Sequence, residues 1–207
     1  MTQPVMPDER QPANLGRKVA ARNRAALIAA AREIYATHGL DAPLSAIARR
    51  AGVGQGVLYR HFPDRTAVAN AVLEENVWQV EQSAATQGAR FADVLGVLTW
   101  HLTKSAAFIG LLHAHGVTGR TDTTDTTETI VHALALSDRV ERALRKHLPE
   151  GHRLSAGEDL MLAVAMVSGA VTGPTREVRE HRAAGAWRLL GVEVGPVRPY
   201  EERGAER

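Results

Sequence analysis

Residues 44–62, LSAIARRAGVGQGVLYRHF, read as two short helices joined by a tight turn. Ile47, Ala48 and Ala51 recur at helical spacing on one face. Gly52 follows at once, where a helix C-terminus favours a residue that tolerates positive φ. Val53 is an apolar plug after the turn. The next helix carries Leu58 inward and Gln55, Tyr59 and Arg60 towards solvent. Ala48 is small, as a close, steep helix crossing requires. This is the pattern of a helix-turn-helix, whose second helix enters the DNA major groove while the first crosses the backbone. Alone it is a weak signal, because any tight helical hairpin needs Ala, Gly and apolar plugs.

The window extended to residues 51–65, AGVGQGVLYRHFPDR, is more specific. It closely resembles the recognition-helix segment of the TetR family of transcriptional repressors, whose usual form is AGVSxGxxYxHFxxK. Ala51, Gly52, Val53, Gly56, Tyr59, His61 and Phe62 match, and Arg65 stands where the family has Lys. The resemblance covers roughly residues 23–82; the rest of the chain shares only helical character and length with the family. It implies an all-α fold. A three-helix helix-turn-helix head would be joined to a helical ligand-binding and dimerisation body, about nine helices in all.

The residues of this window have candidate roles at DNA. Gly54 and Gly56 let the backbone approach closely. Gln55 offers a donor and an acceptor, with adenine its best match. Val57 stands where many relatives have Thr and could touch a thymine methyl. Tyr59 and Arg65 are implied phosphate ligands by the resemblance. Arg60 and His61 suit phosphate or guanine, and His61 also suits packing with a polar tip outward. Arg24 is a phosphate candidate. Pro43 stands near the place of a family capping hydroxyl, and Ser45 in the first turn is the remaining hydroxyl there. Arg49 and Arg50 read equally as a solvated face.

Charge is distributed to match. Residues 1–63 hold 9 Lys/Arg against 4 Asp/Glu, and the remainder holds 16 against 19. The basic end is the end with the helix-turn-helix. Residues 1–16 contain Pro4, Pro7 and Pro12 without periodicity and are expected as a disordered arm. Arg17 and Lys18 then serve either phosphate contact or solubility. A first helix is expected over about Asn23–Thr37, with Leu27, Ala31 (or Ala30), Ile34 and Tyr35 on one face. The fourth helix opens after Asp64, a good cap, and runs to about Gln82. The expected units are thus an arm at 1–16, a DNA-binding unit at 17–82, an effector-binding and dimerisation unit at 83–191, and a flexible tail at 192–207.

The second unit reads as further helices. They cover Phe91–Leu102, Phe108–Ala114 and Glu128–His147, with a polar loop, GVTGRTDTTDTT, at Gly116–Thr127. Ser155 and Glu158 have the spacing of a capping box. The DLMLAVAMVSGAV run after them is apolar on nearly every face and must be covered on all sides. A last helix, about Val178–Leu190, follows. The resemblance implies that these last two helices pair with a second copy, with Ala163, Gly169, Ala170, Ala183, Trp187 and Leu190 as interface candidates. The competing reading is an ordinary monomer core.

Composition excludes several classes. Cysteine is absent, so disulfide frameworks and thiolate metal sites are excluded. No apolar run reaches the roughly 18 residues of a membrane span. No signal-peptide pattern opens the chain, and a cytoplasmic location is expected. Walker, GxSxG and HExxH motifs are absent, so no catalytic residue, metal or cofactor is expected. Expected partners are an operator duplex, a second copy and an unknown small molecule. Candidates to line its pocket are Trp100, Lys104, Phe108, Leu111, Leu112, His113, Met161 and Met166. Rival readings are a DNA-binding protein without effector, or an all-helical ligand carrier or enzyme.

Overall fold

A computed structural model describes residues 11–39, 41–104 and 124–201; within these, the side chains of 11–14, 124–131 and 133 are outside the description. The expected all-α architecture is found: eight helices and no strand among the described residues. In chain order they are α1 Gln11–His38, α2 Leu44–Arg50, α3 Gln55–His61, α4 Arg65–Ala85, α5 Phe91–Lys104, α6 Thr124–Arg145, α7 Asp159–Ala170 and α8 Arg176–Leu189. The helix expected over Phe108–Ala114 lies outside the described residues, as does most of the Thr-rich loop. Residues 124–127 of that loop already belong to α6.

Two apolar cores organise these helices. The first joins α1–α3 to the start of α4 through Leu27, Ile28, Ala31, Tyr35, Ile47, Leu58, Phe62, Val68 and Val72. The second runs from Val77 and Val80 of α4 through α5, α6, α7 and α8 to Trp187. Leu73 packs against both, so α4 threads the two. Asp64 caps it as expected, accepting from the Ala67 amide at 2.7 Å. Arg139 of α6 clamps the solvent side of α4. Its Nε and Nη2 donate to the two oxygens of Glu81 at 2.9 and 2.8 Å, and its Nη1 to Glu74 at 2.6 Å.

Several expectations are corrected. The first helix begins at Gln11 rather than near Asn23, so residues 11–16 are helical, not an arm. Pro12 falls in its first turn, where the missing N–H costs no intrahelical bond. Ser155 does not cap α7, which starts four residues later with Glu158 at the cap and no side-chain cap bond. The apolar α7 is not covered all round in the single chain. Leu160, Ala163, Val164 and Val167 face inward, while Leu162 and Met166 are 58% and 55% exposed.

The segment after α8, expected as a flexible tail, is instead packed on the second core, with Gly195 and Pro196 against α5. Val192 is buried, Val194 and Tyr200 pack on the second core, and the Gly195 amide donates to Ala92 O at 2.8 Å. The two backbones approach so closely that a Cβ on Gly96 would lie 2.5 Å from the Pro196 carbonyl oxygen.

Candidate nucleic-acid interface

The turn between α2 and α3 follows from its residues. Ala51 ends α2, and Gly52 takes φ 69°. The Gly52 amide donates to Arg49 O at 3.2 Å and the Val53 amide to Ala48 O at 3.0 Å. Those two bonds are the paired 5→2 and 6→1 bonds of a Schellman C-cap, which needs a left-handed residue at that point. Val53, next in line, packs its side chain onto the first core. The A-G-V run therefore fixes the direction in which the chain leaves α2.

Helix α3 is held from one side only. Leu58 is 1% exposed and Phe62, its C-cap, is buried, while Tyr59 is 53% exposed. Gln55, Gly56 and Arg60 are exposed and Val57 is half-buried. Arg60 Nε donates back to Gly56 O at 3.2 Å, which lays the guanidinium along the helix. His61 is half-buried, its ring 6.2 Å from that of Phe62.

Gly54 and Gly56 carry information of another kind. Gly54 caps α3 with φ −70°, and neither glycine has positive φ. A Cβ on either would meet nothing within 4 Å. Neither the backbone nor the packing of the chain requires glycine there.

The remaining candidates flank this helix. Arg24 on α1 is exposed with its guanidinium 5.4 Å from the Phe62 ring centroid, so it borders α3. Ser45 is exposed in the first turn of α2, and Arg65 is exposed at the start of α4. Arg65 also acts through space on the buried Tyr35, opposing the rise that burial imposes on the phenol. Arg50 is committed elsewhere, pairing with Glu33 of α1 at 2.6 Å, whereas Arg49 is exposed.

The body candidates are less convergent. Ala163, Ala183 and Trp187, expected at an interface with a second copy, are buried inside the chain, with Trp187 Nε1 donating to Thr99 at 3.0 Å. They are correctly placed as core: the small residues let α7 and α8 approach each other. Gly169 is exposed, and Ala170 and Leu190 are half-buried. Of the pocket candidates, Met161 packs on the second core and Met166 points outward, away from any interior site. Trp100 and Lys104 lie together near the end of α5, with Lys104 Nζ 5.9 Å from the Trp100 ring centroid. Phe108, Leu111, Leu112 and His113 are outside the described residues. Two residues outside the pocket candidates lie beside Trp100: Arg32 of α1, half-buried, and His101 of α5, buried.

Among the described residues no group of three His, Asp or Glu side chains could hold a metal ion. Among them also no helix is long and apolar enough to cross a membrane.

A short outward-facing helix, held to a three-helix head by a glycine-capped turn, defines a helix-turn-helix protein. Residues 27–72 match the family model of bacterial regulatory proteins of the tetR family. A TetR transcriptional regulator from Streptomyces coelicolor is 27% identical, over 83% of this chain and 98% of that one, with a TM-score of 0.50. A TetR transcription regulatory protein from Mycobacterium vanbaalenii is 30% identical, over 80% and 96%, with a TM-score of 0.45. GusR from Salmonella enterica, 16% identical over 90% and 98%, shares the fold at a TM-score of 0.52. No curated protein matches the chain. The chain belongs to the TetR family, whose members are DNA-binding transcription regulators rather than enzymes.

Proposed function

We propose that the protein is a homodimeric repressor that reads a near-palindromic operator through α3 and is released by a small-molecule effector. The carrying observation is the pair Gly54 and Gly56. Gly56 lies inside α3, where glycine costs up to about 1 kcal/mol relative to Ala, and Gly54 at the N-cap gives up a capping side chain; nothing within the chain needs glycine at either place. A second molecule pressed against α3 accounts for both. On this reading residues 17–82 are the DNA-reading unit and 83–191 the effector and dimerisation unit.

Within the reading unit, Gln55 contacts a base edge and Val57 a thymine methyl. Tyr59, Arg60, His61, Arg65, Arg24 and Ser45 hold the phosphates around them. Support for the second copy comes from apolar side chains left open on α7 and in α8's last turn: Leu162, Met166 and Leu189, the last 85% exposed. Control by an effector is supported by the route from body to head. α4 belongs to both cores and is gripped by Arg139, so a shift of α6 moves the head. An effector acts only through its differential affinity for the two head spacings.

The test is selection of bound sequences from random duplex DNA, followed by a salt titration on the selected site. A palindrome with half-sites roughly 34–36 Å apart or somewhat more is expected. Affinity should fall steeply with salt, because several phosphates are neutralised per head. A flat salt response, or equal affinity for random duplex, would remove the reading.

A further inference from the structure

Arg32 and His101 have no place in the nucleic-acid face, yet among the described residues each leaves two buried nitrogens without a hydrogen-bond partner. Arg32 stands on α1 between buried Ile28 and Tyr35. Its Nε and Nη2 are buried without a hydrogen-bond partner. His101 on α5 is 3% exposed, and neither ring nitrogen has a partner. Trp100 joins them: its ring meets that of His101 edge-on at 4.9 Å, and Arg32 Cζ lies 5.9 Å from its centroid. Lys104 adds a second cation at 5.9 Å from the same ring. Glu75 is the carboxylate whose charge reaches Arg32, and it already accepts from Gln79 at 3.0 Å. Among the described residues the place therefore holds two cations, one engaged carboxylate and four buried nitrogens without partners.

Buried donors left unmade cost stability, and folded chains keep few of them. The two open donors of Arg32 lie on one edge of the guanidinium, which matches the two oxygens of a carboxylate. Arg139 shows that fit in this same chain, where the Nε and Nη2 edge grips both oxygens of Glu81. A neutral imidazole adds one N–H donor.

We propose that the α1–α5 junction is a subsite for the carboxylate of a small organic acid, gripped by the Arg32 fork and the His101 ring N–H beside Trp100. Its regulatory consequence rests on the function proposed above: an acid held by α1 touches a helix of the DNA-reading head directly. It deepens that reading by naming the effector's chemical class.

The test is calorimetric titration of the full chain with sodium benzoate and sodium octanoate, with benzamide as the uncharged counterpart of benzoate. At least one of the acids should bind at one per chain, and benzamide should not. Arg32→Met should weaken binding about tenfold or more, the loss of a charge-assisted pair. Arg32→Lys keeps the charge but lacks the fork, so it should weaken binding as well, even if the Met variant fails to fold. Failure of both acids to bind the wild-type chain overturns the subsite, as does undiminished affinity in Arg32→Lys. Operator binding by the unliganded wild-type chain is measured separately. Its loss would sink the DNA-binding reading alone, since the acid titration needs no DNA.

Discussion

Arg24 and Arg32 stand about two turns apart on α1 and meet opposite surroundings. Arg24 is exposed above the Phe62 ring, at the border of a helix that is anchored only from behind. Arg32 is half-buried where α1 meets α5, with two buried donors unmade. In the head, the buried positions are apolar and the polar groups face out. At the junction beneath it, charge and imidazole have been drawn inside. The head is thus built to be a rigid platform. The junction retains polar groups that a purely structural contact would have replaced with hydrocarbon.

The largest effect is expected where the platform is anchored. Leu58→Ala removes the side chain that holds α3 to the head and should cost about 2–5 kcal/mol in chemical denaturation. If the cost is under 1 kcal/mol, α3 is not held as described.

Next is the junction's response to acid. Burial pushes the His101 imidazole down to about 3, with the nearby Arg32 charge adding to the effect. The folded state therefore stays unprotonated while the unfolded chain takes up a proton below its ordinary value near 6.5. Stability is full above that pH and falls as pH drops below it, approaching about 1.4 kcal/mol per unit. Melting temperatures between pH 7 and pH 5 should fall, and His101→Phe should flatten that slope. Arg139-paired Glu81 and Arg90-paired Asp93 have carboxyls held low, so they titrate below this window.

The smallest effect is the most discriminating. Gly56→Ala should raise stability by about 0.5–1 kcal/mol, since Ala loses less backbone entropy and meets nothing. The same change should weaken operator binding. A variant that is both more stable and equally tight on DNA would erase the distinction between platform and contact surface.

The chain's local chemistry made much of the head legible. The A-G-V turn, the Asp64 cap and the inward Leu58 depend on residues within a few positions of one another, and each is found as read. The start of α1 was missed because three prolines within twelve residues suggested an arm, while Pro12 sits harmlessly in a first turn. Three of the interface candidates fall inside the single chain. Ala163, Ala183 and Trp187 are small or aromatic residues on apolar helices, and such residues suit a core as well as a subunit contact. Arg32 carried a signal that could have been used. It falls on the same helical face as Ile28 and Tyr35, an inward place for a cation.

By itself the sequence determined the helix-turn-helix, because its turn is made by bonds spanning three to five residues and its glycine has one conformational reason to be there. It also determined the helical class, because an Ala/Leu/Val core with few aromatics and no alternation leaves no sheet to build. Only the tertiary structure decided which side of the uniformly apolar α7 is covered. It alone laid Gly195 and Pro196 against α5, through a glycine contact between positions a hundred residues apart. It alone brought Arg32 to Trp100 and His101. Those outcomes depend on which surfaces meet across long loops, and no local spacing records that choice.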